Sequence, residues 1–402
     1  MRLSNENKKR FTLPFHIVRR LDISKKQYWL TKVAGIIIAL LLSGILCAIM
    51  KPGTFITYYQ QMFLGIFDPT DLSMLFSFLE EAGLLLLVAF ALAPVFKMKF
   101  WNIGGEGQIL ISCLVVAGLA KFLGEAGVPS AAIVFITLIC GIAAGLIWAL
   151  IPAIFKAFFN TNETLFTLMM NYVAIGLIAF FINLWVPSGS QVFEILSIGQ
   201  LPKLGIDYLF NIIIFVVVIA LMIIYLKKTK HGYELSVVGE SVNTARYVGI
   251  NVKKVIIRTM CLSGALCGLV GFLLVAGHHH TLSTTLADGR GFTGVLIAWL
   301  GSFNPSQMIL YGFLVAVFKC GSTNAASYVG INKTNFSAIV TGMFFLMVIA
   351  SEFFVNYRIM LKHKEENNEP VLETQNANET LNNQIVEENT KPVNLEKVKE
   401  DK

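Results

Sequence analysis

Four polar stretches interrupt a chain that is otherwise almost continuously apolar, and they carry most of the side chains able to do chemistry. In the first, Asn102-Ile-Gly-Gly-Glu-Gly-Gln108, three glycines alternate with two amides and a carboxylate. Glycine frees the backbone to turn sharply, so Asn102, Glu106, Gln108 and the neighbouring amides suit the lining of a solute path. The Gly-x-Gly spacing is no nucleotide fingerprint, because no βαβ unit surrounds it. In the second, Asn160, Thr161 or Asn162 can cap a helix, and Glu163 favours its positive end. Capping alone accounts for those residues. It does not account for Asn171, which lies deeper and either bonds across helices or faces a cavity. The third, Asp288-Gly-Arg-Gly-Phe-Thr293, sets an acid beside a base and reads first as an ion pair fixing a loop.

The fourth, Gly232 to Asn251, is the longest polar run between apolar spans. Lys227, Lys228 and Lys230 precede it, and Lys253, Lys254 and Arg258 follow. Basic loops stay on the inner side during insertion, so this one is expected in the cytoplasm. Ser241 can cap a short helix over Val242 to Tyr247, with Gly249 as its stop. Such a helix is placed to dock a soluble partner; an ordinary inter-helix loop is the competing reading.

Other chemistries find little support. Consecutive His278, His279 and His280 cannot all aim at one ion from a helix, and no carboxylate or cysteine cluster backs them. The six cysteines share no ligand-like spacing and read as small buried hydrophobes. Gly-Lys does not occur, so there is no phosphate loop, and neither Gly-x-Ser-x-Gly nor His-Glu-x-x-His is found. Any nucleoside triphosphate must be hydrolysed on another chain. No catalytic residue, metal or cofactor is expected.

Composition sets the class. Of 402 residues, 55% are hydrophobic and 14% charged, and the mean hydropathy is +0.67. That is an all-α integral membrane protein. Residues 1–32 form a basic arm with nine Lys or Arg against two acids. From Glu365 to Lys402 there are 10 acids and 4 bases, so the body carries +13 and the tail −6 of the net +7. The tail, 359–402, lacks an apolar period and is expected to be disordered. Basic residues fall at span ends and not in an aromatic-interleaved groove, which argues against nucleic acid.

Apolar runs predict spans at 31–50, 72–96, 106–122, 131–155, 165–186, 209–226, 255–277 and 336–357, with a short pair at 291–303 and 308–320 broken by Phe303-Asn304-Pro305. About ten transmembrane or re-entrant segments result, over a membrane body of 33–358. Inner segments then hold 22 of the 28 body cations, which places both termini in the cytoplasm. Backbone broken at membrane depth persists only where protein or water satisfies it, and such breaks near Gly and Asn are common at transport sites, so Phe292 and Asn304 join the candidate path. The competing reading is a tight hairpin. Glu80 and Glu81 read as snorkelling at the outer end of the second span. Gly141/Gly145 and Gly264/Gly268 each put two glycines on one face for close packing. An apolar helix followed by a glycine-rich turn occurs at Leu84–Gln108 and again at Leu262–Thr293, a weak echo that the topology runs in opposite directions, as an inverted repeat would.

Taken together, these blocks resemble the permease subunits of the branched-chain amino acid, sugar and nucleoside group of ABC importers. The resemblance rests on Trp101-Asn-Ile-Gly-Gly-Glu-Gly-Gln108, Asn162-Glu-Thr-Leu-Phe-Thr-Leu-Met-Met-Asn-Tyr172, Gly232-Tyr-Glu-Leu through Asn251-Val252, and Gly289-Arg-Gly-Phe-Thr-Gly294 with Asn304-Pro305. It is nearest to the nucleoside-type permeases that work with a basic-membrane-protein-like lipoprotein. It implies a multi-pass protein of the bacterial plasma membrane, a second homologous permease, cytoplasmic ATPase subunits and an extracellular solute-binding lipoprotein. It also implies that 232–250 is the coupling helix, with Glu234, Gly239, Glu240, Ala245, Arg246 and Gly249 as contact positions. The implied solute is a nucleoside, with a ribose-type sugar as the alternative. A lone ion-driven transporter, the other class, needs acids deep in several spans. The chain departs from the pattern at Ser241-Val242-Asn243, where Asn-Pro-Glu is common, at Lys97-Met-Lys-Phe-Trp101, where small residues are usual, and at Phe166.

Overall fold

The structure, a computed structural model, describes residues 15–20, 23–68, 71–186, 192–193, 196–202 and 208–361. The expected basic arm to residue 14 and the acidic tail from 362 lie outside them. Two units are separable by contact, residues 1–23 with 354–402, and residues 24–353. In the first, β1 (Phe15–Arg19) pairs antiparallel with β2 (Tyr357–Leu361), Phe15 opposite Leu361 and Arg19 opposite Tyr357. No apolar period announces that ribbon.

The second unit is helical. Its elements are α1 (Lys25–Met50), α2 (Phe55–Phe67), α3 (Leu72–Lys97), α4 (Gly105–Glu125), α5 (Ser130–Phe159), α6 (Glu163–Trp185) and α7 (Leu209–Lys228). After them come the short α8 (Lys230–Glu240) and α9 (Val242–Tyr247), then α10 (Val252–Phe272), α11 (Arg290–Leu300), α12 (Pro305–Val329) and α13 (Lys333–Asn356). A π turn, Leu273–His279, continues α10. Among the described residues nine helices are long and apolar enough to cross a membrane, and α11 is shorter.

Two expectations about the spans change. The segment placed at 308–320 is the middle of a 25-residue helix, α12. The polar run Gly321-Ser-Thr-Asn324 follows Cys320, so the apolar run stops short while the helix continues. The 13-residue α2 was not anticipated; at about 20 Å it is below spanning length. The break itself stands as expected: Ser302 and Phe303 have positive φ, Asn304 accepts from Ser306 N, and Pro305 opens α12.

Direction along the bundle follows from side-chain contacts. Lys32 near the start of α1 pairs with Glu352 near the end of α13. At the other end of α1, Lys51 donates to the Val329 carbonyl that closes α12. The carbonyl of Lys97, at the end of α3, faces Gly239 of α8.

The two glycine pairs meet each other. A Cβ on Gly145 would stand 2.4 Å from the Gly264 carbonyl oxygen and 2.7 Å from Gly268 Cα, so α5 and α10 touch backbone to backbone. Ser112 of α4 closes the seam by donating to the Gly268 carbonyl at 2.6 Å. Without a hydrophobic force between helices in lipid, such close packing is what holds the pair. Substituting Gly145→Val should therefore cost about 1–3 kcal/mol or more through overpacking, read as a lower Tm in detergent. Gly176→Ala, where the new Cβ meets nothing within 4 Å, should leave Tm unchanged.

Candidate functional site

The turn that leads into α4 is held from α6. Asn171 is buried, and its Oδ1 accepts from Gly107 N at 2.9 Å while its Nδ2 donates to the Ile103 carbonyl at 3.0 Å. Thr167 Oγ1 accepts from Ile103 N at 3.2 Å. Of the two readings open for Asn171, the structure shows the bond across helices. Asn162 proves to be the cap of α6, accepting from Leu165 N at 3.1 Å, and Glu163 pairs with Lys156 at 2.8 Å.

Inside that turn, Asn102 and Gln108 are buried side by side. Asn102 Oδ1 accepts from Gly104 N at 3.0 Å and from Gln108 Nε2 at 3.4 Å. Asn102 Nδ2 and Gln108 Oε1 keep no partner among the described residues. A buried donor and acceptor left open together cost roughly 1–3 kcal/mol each unless water or solute meets them. Phe292 is 41% exposed and Asn304 is exposed as the α12 cap, so these two do not join Asn102 and Gln108 in one buried cluster.

Glu106 does something the spacing does not show. Its carboxylate reaches from the first turn of α4 to the first turn of α11, accepting from Gly289 N at 2.8 Å and Gly291 N at 2.7 Å. The two echoing turns thus meet at their helix starts. The carboxylate supplies the charge that a helix N-terminus favours.

Glu80 and Glu81 require a correction. They do not snorkel: α3 begins at Leu72, so they stand more than two turns inside it, and both are buried. Glu80 accepts from Asn211 Nδ2 at 2.7 Å and faces His278 Nδ1 at 2.6 Å. Glu81 accepts from Arg290 at 2.6 Å and from Lys319 at 2.8 Å. Lys319 also pairs with Asp288 at 2.7 Å. The expected Asp288–Arg290 loop pair is therefore replaced by two longer-range ones, Asp288–Lys319 and Arg290–Glu81. The missed signal was Lys319: a cation within an apolar span demands a partner, and Glu80 and Glu81 were the acids still to be placed.

At the opposite end, α8 and α9 form a small knuckle. Ser241 caps α9 by accepting from Thr244 N at 3.2 Å, and Gly249 turns the chain with φ of +80°. Of the six contact positions, Glu240, Arg246 and Gly249 are exposed. Ala245 is fully buried, and Gly239 is seated against the Lys97 carbonyl. Glu234 turns back onto α10 and accepts from Arg258 at 2.8 Å. Tyr247, at 92% exposure, is the most prominent apolar group of the tip and was not singled out.

Residues 74–349 match the family described as branched-chain amino acid transport system / permease component. The chain belongs to that permease family. The guanosine ABC transporter permease NupP of Bacillus subtilis is 26% identical to it over 355 residues, covering 86% of this chain and 99% of that one. The glucose ABC transporter permease TsgB13 of Haloferax volcanii is also 26% identical, covering 72% and 80%. The nucleoside ABC transporter permease NupB of Lactococcus lactis is 27% identical, covering 61% and 71%. This permease is accordingly a multi-pass membrane subunit of an ABC importer, and its relatives are subunits of that kind and not themselves enzymes.

Two tests follow from the permease's ion pairs. Glu81→Ala strands the buried Arg290, while Lys319 keeps Asp288, and should cost about 3–5 kcal/mol, visible as loss of folded protein on size exclusion after mild heating. At the knuckle, the hydrogen bond from Arg258 holds the Glu234 carboxyl below its ordinary range. A depressed carboxyl pKa adds stability above the unfolded value and loses it as pH falls through the folded one. Once corrected for the slower intrinsic exchange at low pH, protection factors in 230–240 should therefore fall on acidification in the natural protein, and Arg258→Gln should remove that dependence.

Proposed function

We propose that this permease forms, with a second homologous permease, the membrane passage for nucleosides, and that cytoplasmic ATPases drive it through the α8–α9 knuckle. The observation that carries the reading is the knuckle's division of labour. Gly239 seats it on the end of α3, Glu234 ties it to α10 and Ala245 is buried, while Glu240, Arg246, Tyr247 and Val248 are exposed among the described residues. An exposed Arg beside an exposed aromatic is the composition of a partner-binding hot spot. An extracellular solute-binding lipoprotein would deliver solute to the opposite face.

The orientation is part of the proposal. Lys32 beside Glu352 sets the start of α1 and the end of α13 together. Glu81, early in α3, pairs with Lys319, late in α12, and Lys51 lies by the end of α12, so the start of α1 belongs with the knuckle. The basic bias of that side supports a cytoplasmic face in a bacterial cell.

The nucleoside assignment draws on the guanosine and nucleoside permeases among the relatives, and the glucose permease at similar identity supports a sugar as the second reading. Asn102, Glu106, Gln108, Asn171, Phe292 and Asn304 remain the proposed path-lining set, with Glu106 and Asn171 shaping it and the open groups of Asn102 and Gln108 offered to solute. Cysteine placed at Tyr247 should crosslink to the ATPase in the assembled transporter, and Arg246→Ala should weaken that assembly by on the order of 1–2 kcal/mol. ATP-dependent guanosine uptake into proteoliposomes checks the function; no crosslink from position 247 would overturn the coupling role.

A further inference from the structure

A cavity of about 240 Å³ opens among α2, α3 and α12, and its lining includes Ser77, Phe78, Glu81, Asp288, Lys319 and Asn324. It lies beside the first third of α3, whereas the far end of that helix, Lys97, meets the knuckle. The cavity is therefore on the face from which an importer receives its solute. Its size is below the roughly 300–1,000 Å³ of sites for drug-sized ligands, which suits a single sugar ring.

The chemistry of the walls is specific. Ionised groups within a membrane body are costly and mark solute or ion routes. Here Arg290, Glu81, Lys319 and Asp288 form one connected set, and Glu80 pairs separately with the imidazole of His278. Securing Lys319 needs one carboxylate, and it has two. Asp288 uses only Oδ2 for that pair, and Asn324 uses only Nδ2, which donates to the Gly65 carbonyl at 2.7 Å. Among the described residues, Asp288 Oδ1, Asn324 Oδ1 and the Ser77 hydroxyl make no hydrogen bond. These are acceptors of hydroxyl hydrogens, a carboxylate oxygen being the strongest of them. The buried ring of Phe78 supplies an apolar wall for the carbon face of a sugar. An anion is disfavoured by the two carboxylates, and a free cation by Lys319.

We propose that this cavity receives the ribose moiety of the solute, with Asp288, Asn324 and Ser77 accepting from its adjacent hydroxyls. The proposal rests on the nucleoside reading and deepens it. The test uses the complete transporter in proteoliposomes with its ATPase and binding protein, and compares uptake of guanosine with that of 2′,3′-dideoxyguanosine at saturating binding protein. Because the binding protein is common to all samples, its own preference cancels between variants. In Asp288→Asn the guanosine-over-dideoxy ratio should fall about tenfold, the size of one lost charge-assisted bond. Ser77→Ala, which removes no bond within the protein, should lower it several-fold. If both variants slow the two solutes equally, or leave the ratio untouched, the cavity does not read hydroxyls and the proposal fails. If the unaltered transporter carries no guanosine, the nucleoside reading fails instead. Ribose against 2-deoxyribose then puts the same question to the cavity, and a ratio unaffected by either variant, or no uptake of either sugar, overturns it.

Discussion

A helix that begins inside a protein leaves its first amide N–H groups without partners, and in a membrane water cannot supply them. Both α4 and α11 begin buried, and one carboxylate resolves much of the difficulty. Glu106, itself in the opening turn of α4, accepts from Gly289 N and Gly291 N at the opening of α11. Asn171 and Thr167 satisfy the turn before α4 from the side of α6. With these bonds in place the two broken segments are joined start to start, and the neighbouring ion pairs from Arg290 and Asp288 fall into reach of α3 and α12. Remove the junction and both the proposed solute path and the charged set lose their common support.

Much of this was legible in the chain because it is written locally. A cap and the amide it serves lie within three residues, so Asn162 and the Ser241-to-Tyr247 helix with its glycine stop could be read directly. The glycine pairs likewise announced close contact, though not that they would face each other across α5 and α10. What could not be read is set by separation. Arg290 and Lys319 find Glu81 at sequence distances of 209 and 238 residues, and no periodicity reports such a pairing. Hydropathy also misleads where a helix turns polar part-way: Gly321-Ser-Thr-Asn324 cut α12 short in the sequence, and α2 was too brief to register as a span.

The distribution of charge divides the body into two ends with different tasks. On one face the acids and bases are matched mainly to one another, with Glu80, Glu81 and Arg290 buried and Asp288 exposed, and a small polar cavity lies beside them. On the other, polar groups are exposed on short helices, and the cations there outnumber the acids. The first arrangement suits recognition of a small neutral solute, the second suits a protein partner. Between them run α3 and α10, each in contact with both ends. The chain also ends α10 in a π turn, Leu273–His279, where an extra residue is accommodated just before His278 reaches Glu80. Such turns occur often at functional positions.

Gly239 rests on the last carbonyl of α3 so closely that a Cβ would sit 2.1 Å from it. No side chain lies between the two backbones to compress or swivel. A thrust delivered to the knuckle, as the proposed coupling requires, would therefore reach the long axis of α3 without slack, and the joint would act as a bearing, not as a spring.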